Sequence, residues 1–240
     1  MERRLRARDL FELWADVASH GFSLPAIEFY RAESGEYGCF SNYYQHAPFE
    51  FEIPEWCGRA EIVESGRSAV HSIPFAEMAI MLCKAAVMGD FKSYDAIARA
   101  QTPSQARALG RGVGPWKQRR WDGVVCEVAL QIIIRKFSSV PGLKEKLLST
   151  GNSVIAEMTR NDKNWGTGVD MGRDAAFNPA LWQGTNILGW ALMIARENLV
   201  REQNENKSDR SSCSIATPHV PEKSPLTSCN SPCDNLAAPQ

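Results

Sequence analysis

The chain has 240 residues, which allows one large domain or one domain with a tail. Hydrophobic residues make up 44% of it, enough to bury a real core, and its formal net charge is −1. That near-balance of charge argues against a general polyanion-binding protein and leaves only a local contact with nucleic acid open.

The elements predicted from the sequence are mostly helices, with a few short strands. In chain order they are a helix over 9–19, strands over 27–30 and 49–53, helices over 74–88, 93–101, 103–110, 121–137 and 143–149, a strand over 154–157 and a final helix over 187–199. After residue 203, Ser, Pro, Asn and Thr dominate, and such a segment buries too little apolar surface to offset the entropy of ordering it. We therefore predict a disordered tail over 204–240.

Cysteine usage and the absence of long apolar runs indicate the compartment. No stretch approaches the roughly 20 apolar residues of a membrane span, and the charged start is unlike a secretory signal. Seven cysteines without a CxxC pair, and four histidines, do not make a zinc site. We expect a soluble protein of the cytosol or nucleus that has reduced thiols and uses no metal and no cofactor.

The segment 75–88 is the most informative stretch, because it is apolar on every side except for Glu77 and Lys84. A helix of this kind is usually buried all round. The two charged residues are seven positions apart, so they lie on one face about two turns apart. Either both line a cavity, where burial would suit a general acid/base and an amine nucleophile, or they reach a surface edge or form separate ion pairs.

Four further clusters carry polar or aromatic groups, and the first three have a plain structural explanation. The basic, Gly-rich loop over 110–120 is either a phosphate grip through Arg111 or a solvated turn. The segment 161–168 combines Asp162 and Trp165, and its polar residues also suit Asx turns. Asn186 precedes the last helix as an N-cap would. The loop over 38–43 offers hydroxyl, amide and ring groups typical of a base or ribose contact.

Taken together and in this order, these clusters resemble the NADAR family, which is named for its predicted link to NAD and ADP-ribose metabolism. The resemblance covers about residues 28–199. The matching motifs are GCFSN at 38–42, Glu77 with Lys84, Gly110 and Arg111 with Trp121, Lys136 with Phe137, Asn161 and Asp162 with Trp165 and Gly166, and GTNILG at 184–189 before Leu192, Met193 and Arg196. The entry to the charged helix departs from the family, because it reads Pro-Phe-Ala-Glu where many relatives have Ser-Glu followed by aromatics.

The resemblance implies a single compact, predominantly helical α+β domain over 28–203 that cleaves N-glycosidic bonds. The N-terminal helical extension predicted over 1–27 lies outside the resemblance. One branch of the family resembles enzymes that hydrolyse ribosylamino intermediates of riboflavin synthesis, and another resembles hydrolases that remove ADP-ribose from guanine. We favour ADP-ribosylated guanine in DNA or RNA as the substrate. A non-catalytic module that binds ADP-ribose is a third alternative.

Glu77, Lys84 and Asp162 are the expected catalytic residues. The resemblance also implies substrate contacts from Phe40, Ser41, Asn42, Arg111, Trp121, Trp165, Gly166 and Asn186. In one mechanism neutral Lys84 forms a Schiff base with the sugar while Glu77 shuttles protons and Asp162 orients water or stabilises positive charge. In the alternative, water attacks directly with Glu77 as the base.

Overall fold

The structure is a computed structural model that describes residues 26–33, 35–172 and 178–213, together with Asp9, Glu12 and Asp16. Its elements in chain order are β1 (Ala26–Phe29), β2 (Phe49–Glu52), α1 (Arg59–Glu64), β3 (Val70–Ile73), α2 (Ala76–Met88), α3 (Phe91–Ile97), α4 (Pro103–Arg111), α5 (Gln118–Asp122), α6 (Val125–Ser139), α7 (Leu143–Leu148), β4 (Val154–Glu157) and α8 (Ile187–Cys213). This confirms the predicted fold class, α+β with helices predominant and few short strands.

The four strands pair two by two. β1 runs parallel to β4, with Ala26 opposite Val154 and Phe29 opposite Glu157. β2 and β3 are antiparallel, and burial alternates along β2 as its apolar–acidic alternation predicts. The pairing of β1 with β4 brings the loops that follow these two strands to one end of the molecule.

Helix α2 is the centre of the core. Every one of its residues except Lys84 is buried, as its apolar composition predicts. It packs against α3, α4 and α6. Gly110 of α4 makes the closest approach, since a Cβ there would lie 1.9 Å from the sulfur of Met81. The absence of a side chain at Gly110 therefore lets α4 and its arginines lie beside Glu77 and Lys84.

Capping explains both the agreements and the shifts in helix bounds. Thr102 caps α4 by accepting a hydrogen bond from the backbone N–H of Gln105, as predicted. Asp90 caps α3 in the same way, so that helix begins two residues before the predicted start. The predicted helix over 121–137 is wrong at its start, because Gly123 ends the short helix α5 and α6 begins only at Val125.

The last helix is longer than predicted. It begins at Ile187 as expected, but it continues past residue 199 to Cys213. Residues 201–203 are Arg, Glu and Gln, which are good helix formers even though they offer no apolar face to a core. The predicted tail from residue 214 onward, and most of the predicted N-terminal extension with its helix over 9–19, lie outside the described residues. Of the helices that the structure describes, none combines the length and apolar character needed to cross a membrane.

Candidate active site

Helix α2 brings Glu77 and Lys84 to the wall of one cavity, which we call the acid–amine cavity. It holds about 190 Å³, and Met81 lines it on the same face of the helix between the two charged residues. Glu77 is only 5% exposed, whereas Lys84 is half-buried. The alternative of two charges reaching a surface edge therefore does not describe Glu77.

The environment of Glu77 stabilises its protonated form. Its backbone N–H donates to the carbonyl of Asn42 at 3.0 Å, which ties the start of α2 to the loop after β1. Burial raises the pKa of Glu77 to about 7, against the opposing effect of Arg107, while the nearby Asp162 carboxylate raises the pKa further. A carboxyl with this pKa can both give and take a proton near neutral pH.

Within the described part of the chain, the Lys84 amine contacts a backbone carbonyl and an indole ring and no carboxylate. Its Nζ donates to the carbonyl of Gly110 at 2.7 Å and lies 4.7 Å from the ring centroid of Trp116. Burial lowers the pKa of Lys84, with Glu77 opposing the shift and Arg107 adding to it. Among the described residues, neither Glu77 nor Lys84 takes part in an ion pair, so the separate-ion-pair alternative does not apply to this part of the chain.

Asp162 forms an Asx turn and also lines the acid–amine cavity. Its Oδ1 accepts from the backbone N–H groups of Asn164 at 3.1 Å and Trp165 at 2.9 Å, which is an Asx turn. Its Oδ2 lies 3.6 Å from the guanidinium of Arg107 and faces the cavity. The turn therefore fixes the direction in which the carboxylate points.

The cavity is lined by equal numbers of acidic and basic side chains. Three acids and three bases face it: Glu77, Glu157, Asp162, Lys84, Arg107 and Arg111. Ser41, Asn42, Tyr43 and Trp165 complete the wall with Met81. Among the described residues, His, Cys, Asp and Glu side chains form no group of three or more suited to a metal ion. A ligand here meets cations, carboxyl groups and one indole ring within a small volume.

Comparison with known proteins shows the family. The NADAR domain profile matches residues 28–200. The chain belongs to the NADAR family. It is 33% identical over 122 residues to an N-glycosidase of Acanthamoeba polyphaga mimivirus, covering 51% of this chain and 72% of that protein. It is 28% identical over 163 residues to an N-glycosidase of Nostoc punctiforme, covering 68% and 86%.

Two further NADAR comparisons concern a biosynthetic protein and a solved structure. A riboflavin biosynthesis protein of Vibrio vulnificus is 31% identical over 110 residues, covering 46% of this chain and 27% of that protein. The NMR structure of the E. coli protein YbiA aligns with a TM-score of 0.56 and 25% identity, covering 77% of this chain and 90% of that one. The match confirms the resemblance and the helical α+β fold.

Four of the expected substrate contacts line the cavity of this NADAR domain, and four do not. Ser41, Asn42, Arg111 and Trp165 face it, with Arg111 at the exposed rim. The four whose side chains do not line it are Phe40, Trp121, Gly166 and Asn186. Each of these four has a structural role nearby.

Phe40 and Trp121 are packing residues. Phe40 is fully buried, with its ring edge-on to Phe29 and to Phe137 at centroid distances of 5.7 Å. The ring of Trp121 packs against that of Trp116, with 6.3 Å between their centroids, and Trp116 is the ring that lies beneath Lys84. Both therefore hold cavity elements in place from behind.

Asn186 is not the N-cap that the sequence suggests. Its Oδ1 accepts from the backbone N–H of Glu157 at 3.0 Å, and its Nδ2 donates to the carbonyl of Ile155 at 2.9 Å. The residue takes a positive φ of 48° and is fully buried. Strand β4 uses the amide because its outer edge lies against the start of α8.

The glycines of the same motifs permit close approach. A Cβ on Gly166 would lie 2.7 Å from the carbonyl oxygen of Glu157, and one on Gly184 would lie 2.4 Å from the carbonyl oxygen of Gly166. A side chain at either position would push the Asp162 loop away from β4. These glycines thus allow the close packing that positions the Asp162 loop.

Lys136 holds the other cavity loop from inside the core. It is completely buried, and its Nζ donates to the carbonyls of Cys39 at 2.7 Å and Ser41 at 3.0 Å. Burial lowers the pKa of Lys136 to about 7. Its side chain anchors the loop that carries Ser41 and Asn42.

Four residues line the acid–amine cavity but were not predicted as site residues from the sequence: Arg107, Glu157, Tyr43 and Met81. Arg107 precedes Arg111 by one helical turn, so the spacing on α4 could have pointed to it. Glu157 ends an otherwise apolar strand, which is a weaker signal. Tyr43 lies in a loop already noted for its polar groups.

Proposed function

We propose that this NADAR protein is an N-glycosidase that hydrolyses the bond between an exocyclic amine and a phosphorylated ribose. The observation that carries the proposal is the cavity that Glu77 and Lys84 share. Burial there raises the pKa of the Glu77 carboxyl to about 7 and lowers the pKa of Lys84, which favours its neutral amine. The similarity to the N-glycosidases of the mimivirus and Nostoc supports the same general activity.

The chemistry follows from the substrate linkage. A ribose that carries an exocyclic amine on its anomeric carbon can open to an imine. The lone pair of neutral Lys84 adds to the imine carbon, the C=N π pair moves to the exocyclic nitrogen, and Glu77 carries a proton from the Lys84 nitrogen to that nitrogen. Glu77 then gives its own proton to the same nitrogen, which departs with the C–N electron pair as the free amine and leaves an iminium on Lys84. Water adds to the iminium carbon while Glu77 takes its proton; Glu77 returns that proton to the Lys84 nitrogen, which leaves as the neutral amine while the hydroxyl proton passes to Glu77 and the sugar carbonyl forms. The net reaction consumes one water and releases a free amine and a free sugar.

The other charged groups suit the remaining parts of this substrate. Arg111 and Arg107 lie on the same helix one turn apart, and guanidinium groups bind phosphate through paired hydrogen bonds. In this proposal the carboxylate of Asp162 stabilises positive charge on the sugar or orients water. Trp165 supplies a flat wall.

As the specific substrate we propose ADP-ribose linked to the amino group of guanine, in DNA or RNA. A second cavity adjoins the acid–amine cavity and gives room beyond a ribose phosphate. Ribosylamino intermediates of riboflavin synthesis are the second candidate, favoured by the similarity to the riboflavin biosynthesis protein of Vibrio vulnificus.

The decisive experiment is incubation of the purified protein with both substrates while the released amine is followed by mass spectrometry. We expect turnover of ADP-ribosylated guanine and its loss in a Glu77→Ala variant. Full activity in that variant would remove the catalytic assignment. A protein that hydrolyses neither substrate but binds ADP-ribose would instead be the non-catalytic module.

Reduction with borohydride during turnover separates the two mechanisms. The Schiff-base route predicts a stable sugar adduct on Lys84, detectable by peptide mass mapping. An active enzyme that gives no adduct on Lys84 would use direct attack by water, with Lys84 acting through its charge.

A further inference from the structure

A second cavity, which we call the side cavity, adjoins the acid–amine cavity and has a different chemical character. It holds about 320 Å³. The two cavities share five lining residues, Ser41, Tyr43, Arg107, Glu157 and Asp162. Beyond that shared boundary, the side cavity has the ring of Tyr30 and the hydrogen-bonding groups of Thr159 and Asn161. Its remaining lining residues are Ala32 and the exposed, charged Arg31 and Glu33. Flat rings and uncharged polar groups are typical of sites for planar heterocycles.

Glu157 lies on the boundary with an unused polar atom. Its Oε2 is shielded from solvent and has no hydrogen-bond partner among the described residues. Its backbone is fixed on both sides, by the amide of Asn186 and by the N–H of Thr167 at 2.9 Å. A buried polar atom without a partner is costly, so one on a cavity wall, carried by a backbone that is fixed on both sides, indicates a ligand contact.

The surroundings of Glu157 favour its uncharged form. Glu157 shares the wall of the acid–amine cavity with the titratable or charged residues Glu77, Lys84, Arg107, Arg111, Asp162 and Tyr43, and the wall of the side cavity also with Tyr30, Arg31 and Glu33. Burial raises the pKa of Glu157 to about 8, Asp162 and Glu77 add to the shift, and Arg107 opposes it. The group at neutral pH is therefore mainly a carboxylic acid, which presents one donor and one acceptor side by side.

We propose that the side cavity holds the leaving base and that the carboxylic acid of Glu157 binds the lactam edge of that base. The acid donates to the ring carbonyl oxygen and accepts from the neighbouring ring N–H, so both of its oxygens are used. Guanine and the aminopyrimidinone of riboflavin intermediates both carry such an edge. The proposal rests on the proposed function for its orientation, since the sugar phosphate then occupies the acid–amine cavity, whose wall includes Arg107 and Arg111.

The orientation also follows from the distribution of charge. Lys84 and Arg111 face only the acid–amine cavity, where they suit a phosphorylated sugar. A base that leaves across the shared boundary passes Glu77, its proton donor, and then meets Glu157. The side cavity thus sets which amines can leave.

The test uses two small probes whose binding requires no turnover. Isocytosine carries a ring N–H next to a carbonyl, together with an exocyclic amine, and 2-aminopyrimidine keeps the ring and amine but lacks that edge. By calorimetry at about pH 7, we expect the native protein to prefer isocytosine at least about tenfold, the effect of losing one buried hydrogen bond. Equal affinities, or no binding of either probe at millimolar concentration, overturn the proposal.

Variants at Glu157 identify the group responsible. Glu157→Gln keeps a donor and an acceptor, so it should retain the preference, and should retain it at about pH 9, where the native carboxyl ionises and loses its donor. Glu157→Leu should lose the preference. Glu64→Gln, the same change at an exposed position of α1 that lines neither cavity, is the matched control and should behave as native.

Each result has a fixed meaning. Loss of the preference in Glu157→Gln overturns the proposal, because the site would then need a carboxylate. If Glu157→Leu does not fold, the contrast between native protein and Glu157→Gln at high pH still decides. A native preference without any hydrolysis would refute the glycosidase but not the lactam site, and hydrolysis without the preference would do the reverse.

Discussion

Replacing Glu77 by Gln tests both the catalytic assignment and the cost of burying this carboxyl. The side chain keeps its shape but can neither give nor take a proton. Removal of a positioned general acid/base typically lowers the rate by about 10²- to 10⁴-fold. We therefore expect a loss of that size in the rate of amine release from ADP-ribosylated guanine.

The same substitution should stabilise the fold at alkaline pH. Folding raises the pKa of Glu77 from 4.5 to about 7, so the folded state holds the proton more tightly than the unfolded state does. The resulting cost is absent below about pH 4.5, grows up to about pH 7 and is then constant. At about 1.4 kcal/mol per pKa unit, the full cost is about 3 kcal/mol.

Urea denaturation at about pH 8 and about pH 5 measures this cost. We expect the Gln variant to exceed the native free energy of unfolding by up to about 3 kcal/mol at the higher pH, and by much less at the lower one. Glu64→Gln, an exposed change on α1, is the control and should stay within about 0.5 kcal/mol of native at both. A Glu77→Gln protein with native turnover, or with the same stability difference at both pH values, would refute the reasoning.

Three other substitutions test the site and its supports. Lys84→Arg keeps the charge but cannot supply a neutral amine, so under the Schiff-base route turnover should fall at least about 100-fold, and the borohydride adduct should vanish from the peptide map. Lys136→Met removes the donor to two loop carbonyls, of which that of Cys39 is left unpaired while that of Ser41 keeps the N–H of Tyr44, and it should lower the free energy of unfolding by about 1–3 kcal/mol in urea, whereas exposed Lys92→Met should not. Gly184→Ala places a Cβ against two backbone oxygens and should lower both the melting temperature and the turnover rate, while Gly112→Ala, where the nearest atom is 3.4 Å away, should change neither.

The sequence was most informative where burial follows directly from composition. Residues 76–88 are apolar on all sides except at Glu77 and Lys84, so the composition predicted a helix buried in the core, but it left open whether the two charged side chains line a cavity, form ion pairs or reach a surface edge. The seven-residue spacing then placed Lys84 on the same face. These inferences needed no knowledge of the tertiary fold.

The missed residues depend on how separate elements pack. Arg107 lines the cavity only because Gly110 lets α4 approach α2 closely, and Glu157 does so only because β4 pairs with β1. Asn186 shows the reverse error: a short polar residue before a helix suggests a cap, but the neighbouring strand uses its amide first. Side-chain direction in these cases is set by contacts between segments distant in sequence.

The parallel pairing of β1 with β4 ties the formation of the site to the end of folding. Ala26 and Val154 are direct neighbours in the sheet, so a loop of well over one hundred residues must close before the two strands meet. Such long-range closure slows folding relative to local helix formation. A chain still emerging from the ribosome, or one cleaved before β4, therefore has α2 with its acid and amine but lacks the opposite wall that makes them a binding site.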